Sequence, residues 1–534
     1  MSSPAPATTV DEKAETAHID VKNAPTVKED ASVGLAVIDQ RAAIPTTGKR
    51  KPTSKWEYVT FCMFYFSNNG APIGGNGGAL RQALMSQQFP EGKIHWGGTW
   101  LPINSFLLNV TGIMFAAQMF TLLTVAPYAD YGNWRPWIMI VFQTILYGCQ
   151  FGMCGLSRPS QWQIANALFV LGSLANNTLI QSEHDVKAGL KSPEEHAQLD
   201  AYERSKLYNL ANITGSGLVV VFYAIAVGIS AAVGFATDSE LIKTYRVLMG
   251  YFGTLTMLCT LPFFLVQKHR PGQKLPAGTR WWLAGPQQVW SAVKSIRELK
   301  HCLLYLVAYF MLQETFGTYW NILSILQNET INYSPLLLNA MSLCADLAGG
   351  SGTVFMLWLQ KKYRFSVKAG VFYGACMTLP PSIWGAIGAF TGKIGFHRTW
   401  EFWLAMFWNF QTAAWGSYQV TMISEVVPAP KAYMFFALFN LVGKTSGFIG
   451  PFISSAIIKR ANGNNNMCFW FLLGMGIIGI IVLYFVDPDQ AKIDVAKYLE
   501  REAAELYSAE QREQQASKLH DEDEEEEDAT GNRA

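Results

Sequence analysis

The stretch TVAPYADYGNWRPW, Thr124–Trp137, decides how the chain is read. An apolar run from Leu101 to Val125 leads into it, and a second from Trp137 to Gly155 leads out. An aspartate, an arginine, a glycine and two prolines are therefore confined to a tight turn between two segments of membrane-spanning length. That spacing puts Asp130 and Arg135 at the mouths of neighbouring helices. There a carboxylate and a guanidinium can pair, or cap backbone ends, in one state of a gate and separate in another. A turn that only satisfies the rules of the membrane interface is the plainer reading of the same residues.

Working outward, the whole chain has the composition of a membrane protein. Of its 534 residues 50% are hydrophobic, 13% aromatic and only 15% charged, and the mean hydropathy of +0.14 is an average lowered by polar ends. The net charge of +1 conceals basic loops and an acidic C-terminus, so nucleic acid is not implied. The eight cysteines lie in or beside apolar runs without CxxC pairs or histidines at ligand spacing, which makes them packing residues and gives no metal site. No nucleophile, acid and base set marks an enzyme, and no cofactor is expected.

Apolar runs of about 20 residues, enough to cross ~30 Å of hydrocarbon, are expected at 56–84, 101–125, 137–156, 162–181, 207–235, 245–266, 302–326, 334–358, 367–391, 400–424, 433–458 and 467–486. Loops on one side hold Arg135, Lys187, Arg204, Lys268, Arg297, Lys361 and Lys368, whereas the opposite loops hold few cations, such as Lys93, Arg158, Lys243 and Lys393. The asymmetry predicts an even number of spans with both termini cytoplasmic. The expected organisation is a disordered N-terminus (1–52), a six-helix half (53–266), a linker (267–301) with an amphipathic run from Val289 to Leu299, a second six-helix half (302–487), and a tail (488–534). The tail ends in the acidic run Asp521–Asp528. No apolar leader precedes the first span, which is expected to direct the chain to the membrane.

The first span is unusual, since Ser67–Gly78 brings Asn68, Asn69, Pro72 and glycines at 70, 74 and 78 together. Every-fourth glycines allow close helix packing, and with the asparagines and proline they also break a helix and bare backbone groups to a substrate. No lysine of a phosphate-binding loop follows, so no nucleotide site is read there. Polar faces recur on four spans: Asn166, Ser173 and Asn177; Asn209, Asn212 and Ser216; Glu314, Thr318 and Asn321; Asn409, Thr412 and Gln419. Together they point to a hydrated path, although each alone is commonly a helix–helix hydrogen bond. Charges at depth are Glu314, Asp346 and Lys444. A desolvated carboxylate at Glu314 suits proton uptake and release, with a structural acid as the alternative. Asp346 precedes Gly349 and Gly350, where a helix break competes. The sequon Asn328-Glu329-Thr330 is expected in a lumenal loop as a glycosylation site; those at Asn109, Asn176 and Asn212 fall in or against spans.

Two stretches carry a resemblance. Ala129–Gly132, with Asp130 and Arg135, resembles the loop between the second and third helices of the major facilitator superfamily. Ser424–Pro428, Lys431–Phe439 and Gly443–Pro451 resemble the signature of the autophagy-related vacuolar amino-acid effluxers, a fungal branch of that superfamily: Val-Pro, a double phenylalanine, Gly-Lys-x-Ser and Gly-Pro. The likeness runs loosely from Trp56 to Asp487. It implies an all-α integral membrane protein with a twelve-helix major facilitator fold in two six-helix halves, working in membrane lipid. It also implies export of neutral amino acids, including leucine, isoleucine and tyrosine, from vacuole to cytosol, with Lys444 meeting a carboxylate and Glu314 an amino group or a coupling proton. The chain departs from the pattern at Asn68-Asn69, where relatives carry a carboxylate, and around Asn176-Asn177 after the fourth span. Those departures leave open a transporter of a fungal secondary metabolite or its precursor; a transport-dead sensor or scaffold whose long tails recruit partners is a further alternative, and the plasma membrane or another organelle membrane an alternative to the vacuole.

Overall fold

The computed structural model describes residues 54–69, 73–130, 134–178, 217–268, 296–427 and 432–501, with the single positions 290, 294 and 504. The expected N-terminus, most of the linker, the acidic run, and Asn209 and Asn212 lie outside the described residues. The N-terminal half comprises α1 (Lys55–Asn69), α2 (Asn76–Gln88), a hairpin of β1 (Lys93–Trp96) and β2 (Thr99–Pro102), α3 (Ile103–Asp130), α4 (Arg135–Cys154), α5 (Trp162–Thr178), α6 (Gly217–Val233) and α7 (Asp238–Val266). The C-terminal half comprises α8 (Lys300–Thr330), α9 (Pro335–Tyr363), α10 (Val367–Met377), α11 (Leu379–Ile387), α12 (Thr399–Val426), α13 (Ala432–Arg460) and α14 (Cys468–Tyr484), after which α15 covers 488–501. Six stretches among the described residues are long and apolar enough to cross a membrane, within α3, α4, α7, α9, α13 and the segment Asn465–Tyr484. Their outward faces carry exposed Leu261, Leu265, Val354, Leu357, Ile478 and Ile481, the surface a lipid solvent requires.

Helix ends follow local chemistry. Thr237 caps α7 by accepting from the Glu240 backbone N–H. Ser334 caps α9, Pro335 takes its first turn, and Lys361 and Lys362 close its last, beside a left-handed Arg364. Outside the spans, Asp487 starts α15; the backbone N–H groups of Gln490 and Asp489 hold its carboxyl below the ordinary carboxylate range.

Two expected spans are broken helices. The first divides into α1 and α2, with Gly74 and Gly75 in the turn before α2 and Gly78 inside it. The ninth, expected as one segment over 367–391, divides at Thr378 because Pro380 and Pro381 lack N–H groups. Pro381 cannot satisfy the Met377 carbonyl one turn back, and the Trp408 indole N–H donates to that oxygen instead, at 2.9 Å. Asp346 breaks nothing: α9 runs through it and through Gly349-Gly350. A glycine two positions on serves packing, since a Cβ at Gly352 would overlap the Phe410 backbone oxygen, which brings α9 and α12 into backbone contact.

The core is distributed unequally along the molecule. At the end that carries the hairpin, one apolar cluster joins the halves, with Leu80 and Tyr245 packed together with Ile322, Leu326 and Met341. Towards the other end the buried clusters are separate, one of Phe61, Phe64, Met139 and Phe263, and one built on Tyr305, Trp415 and Phe439. Among the described residues the halves are thus closed against each other at the hairpin end.

Candidate functional site

Asp130 is the last residue of α3 and Arg135 the first of α4, as the spacing predicts. Their side chains and residues 131–133 lie outside the described residues. Asn68 and Asn69 end α1 immediately before the break, and their side chains also fall outside.

The centre of the site is Glu314, midway along α8 and 1% exposed. Thr318, one turn later, donates its hydroxyl to Oε1 at 2.6 Å, and Oε2 is buried without a hydrogen-bond partner. Opposite stands Gly450 of α13, where a Cβ would overlap both Glu314 Oε1 and Thr318 Oγ1. The glycine makes the space for the carboxylate. Lys444 lies half-buried six positions earlier on α13, and Asn321 is half-buried two turns beyond Glu314. Among the described residues no ion pair includes Glu314, Asp346 or Lys444. A buried charge without a partner costs several kcal/mol, so these groups are suited to a mobile counter-charge, from a ligand or a proton.

Asp346 is half-buried on α9 and faces the N-terminal half, within electrostatic reach of Tyr223 on α6. Asn409 of α12 faces α9: its amide donates to the Ala345 carbonyl at 2.9 Å and its Oδ1 accepts from Thr412 at 3.0 Å. The polar face of the tenth span is accordingly used against α9. Asn409 and Thr412 also line a narrow cleft, with room for about one water molecule, with Phe316, Tyr319, Trp320 and Trp408.

The glycosylation expectation needs correction. Asn328 is in no loop but in the last turn of α8; it is 2% exposed and its amide donates to Gln82 Oε1 of α2 at 3.0 Å. Burial against the other half withdraws the nitrogen from a glycan-transferring enzyme in the folded chain.

Sequence reasoning missed Arg81. It is 6% exposed on α2, donates to Asn166 at 3.3 Å and to Thr111 at 3.2 Å, and lies 3.6 Å over the Phe169 ring. No described carboxylate pairs with it. The available signal was its place inside the first apolar run, where a cation deserved the same scrutiny as Lys444.

Residues 53–496 match the family described as "Vacuole effluxer Atg22 like". Autophagy-related protein 22 of Botryotinia fuckeliana is 27% identical over 274 residues, 48% of this chain and 40% of that protein. The homologous protein of Yarrowia lipolytica is 24% identical over 475 residues, 77% of this chain and 80% of that protein. The chain thus spans less than half the length of the Botryotinia relative but most of the Yarrowia one. Among solved structures, a D-xylose-proton symporter superposes with TM-score 0.55 at 13% identity, over 81% of this chain and 98% of that one. The inward-open xylose transporter XylE of E. coli gives 0.53 at 13% identity, over 80% and 95%. These likenesses show the fold, that of the major facilitator transporters.

Proposed function

The chain belongs to the Atg22-like vacuole effluxer family, and we propose that this membrane transporter moves neutral amino acids from the vacuole lumen to the cytosol by alternating access, with a proton as coupling ion. The observation that carries the reading is the unpartnered Oε2 of Glu314, a carboxylate oxygen buried mid-span beside the Oε1 to which Thr318 donates. Such a group accepts either a proton or the ammonium of a substrate, and releases it when the surroundings change.

Each chemical part of an amino acid has a counterpart. Lys444, half-buried and without a described carboxylate, supplies a positive charge for the substrate carboxylate. Phe316, Tyr319, Trp320 and Trp408 supply an aromatic wall for the side chain, which favours leucine, isoleucine or tyrosine over charged residues. Asn321 and Asn409 line the path beside them. Loop charge puts the termini and the Asp130–Arg135 turn in the cytosol and the hairpin end in the lumen. The described state, closed at the hairpin end, is then the one that delivers to the cytosol, and Asp130 and Arg135 act as gate elements at the delivering mouth.

Reconstitution in liposomes tests this reading. With an imposed proton gradient, the wild type is expected to drive labelled leucine or tyrosine across the bilayer, and Glu314→Gln to retain exchange while losing the response to the gradient. An identical response in the two proteins would remove Glu314 from the coupling path.

A further inference from the structure

α2, the second half of the broken first span, holds the two halves of the transporter together through uncharged amides. On a helix of 3.6 residues per turn Asn76, Ala79, Gln82 and Ala83 share one flank, and Gly77 and Arg81 the other. The first flank faces the C-terminal half. Asn76 and Asn339 of α9 form a reciprocal amide pair, with Asn76 Nδ2 donating to Asn339 Oδ1 at 3.1 Å and Asn339 Nδ2 donating to Asn76 Oδ1 at 3.2 Å. Gln82 Nε2 donates to the Ile325 carbonyl of α8 at 3.2 Å, and its Oε1 receives the Asn328 amide. All four side chains are at most 2% exposed. At the rim, Asn104 of α3 donates to Glu329 Oε1 of α8 at 2.8 Å, and Tyr245 of α7 to the Tyr333 carbonyl at 2.7 Å.

The other flank is bound differently. Arg81 ties α2 to α3 and α5 with two hydrogen bonds from a guanidinium and a ring stack on Phe169. Charge-assisted bonds are stronger than neutral ones, so the seam that parts first runs between α2 and the α8–α9 pair. α2 stays with the N-terminal half. Neutral amides suit a contact that must be broken and remade in every cycle: each is worth little net, yet water satisfies both partners once they separate, with no pair of ions to desolvate on closing. The break before Asn76 gives α2 a hinge, and a Cβ at Gly74 or Gly75 would meet nothing within 4 Å.

We propose that Asn76, Gln82, Asn328 and Asn339 are the latch of the hairpin-end gate, and that its opening separates α2 from α8 and α9 along these amide pairs. The inference needs only a transporter that alternates, whatever its substrate. The test uses the purified full chain in detergent, with a cysteine in place of the fully buried Ala79 on the latch flank and, separately, of the equally buried Ala308 in the other core. The rate of reaction with a water-soluble maleimide is read after subtraction of the wild-type background. Removing both partners of the reciprocal pair, Asn76→Ala with Asn339→Ala, is expected to speed labelling at position 79 about tenfold, the population change produced by ~1.4 kcal/mol, and to leave position 308 unchanged. Gln82→Met, which keeps the side-chain volume, is expected to move position 79 in the same direction. The latch is refuted if labelling at 79 does not change in either variant, or if 79 and 308 speed up together, which would mean general loosening.

Discussion

Replacing Gly450 by alanine places one methyl group where the structure has no room for it. The added Cβ overlaps Glu314 Oε1 and Thr318 Oγ1 together, so the carboxylate must leave its hydrogen bond to Thr318 or α13 must move off α8. Overpacking of this kind costs about 1–3 kcal/mol, and loss of the hydrogen bond adds about 1 kcal/mol. Against that stands the better helix propensity of alanine, about 1 kcal/mol. The expected net effect is a destabilisation of about 1–3 kcal/mol. Gly447, less than one turn away on the same helix, supplies the internal comparison: its added Cβ would sit 3.5–3.6 Å from the Phe115 ring, an ordinary contact, so Gly447→Ala is expected to be neutral or slightly stabilising. Unfolding of the purified protein by titrated denaturing detergent reads both variants on one scale. Adding Glu314→Ala to Gly450→Ala should recover part of the loss, because it removes the group that is struck. If Gly450→Ala is as stable as the wild type, or Gly447→Ala falls equally far, Glu314 does not lie against Gly450 as described.

Other outcomes follow from the same geometry. Arg81→Met keeps a long apolar stem on Phe169 but removes both hydrogen bonds that tie α2 to α3 and α5, so it should cost about 1–3 kcal/mol in the same detergent titration; a neutral result would mean that these bonds do not hold α2 to the N-terminal half. Glycosidase treatment of the protein from its own membrane should leave its electrophoretic mobility unchanged, and Asn328→Gln should migrate like the wild type, since the sequon is buried against Gln82. Trp408→Phe removes the indole donor from the Met377 carbonyl at the α10–α11 break and should cost about 1–3 kcal/mol in the same detergent titration; a neutral result would mean that another group satisfies that oxygen.

What could be read from the chain divides along a physical line. Long apolar runs are fixed by the thickness of hydrocarbon, so α3, α4 and α7 to α9 lie where hydropathy puts them, and Asp130 and Arg135 stand at helix ends, with Pro136 in the first turn of α4. Breaks inside apolar runs are harder to see. Pro380-Pro381 was in plain view, yet the hydropathy of 367–391 is continuous, and only the lost N–H groups reveal the division at Thr378. Partners across the molecule were not legible at all: Asn76 and Asn339 are separated by hundreds of residues, and no periodicity announces that each amide will be the other's partner. Asn328 was misplaced for a related reason, because a sequon just past an apolar run looks like a loop, whereas α8 continues through it and Gln82 captures its amide. Glu314 stands out in the sequence as a charge inside an apolar run, but its setting, a glycine opposite and a threonine below, depends on how α13 packs on α8.

The most direct measurement is amino-acid efflux from isolated vacuoles with and without this protein, loaded with a mixture of labelled neutral amino acids and repeated with the proton gradient collapsed. The account predicts protein-dependent loss of leucine, isoleucine or tyrosine that slows when the gradient is removed and is insensitive to the gradient in Glu314→Gln. Vacuoles that contain the protein and retain every amino acid would contradict it, and the carrier would then have to be matched to another class of small molecule.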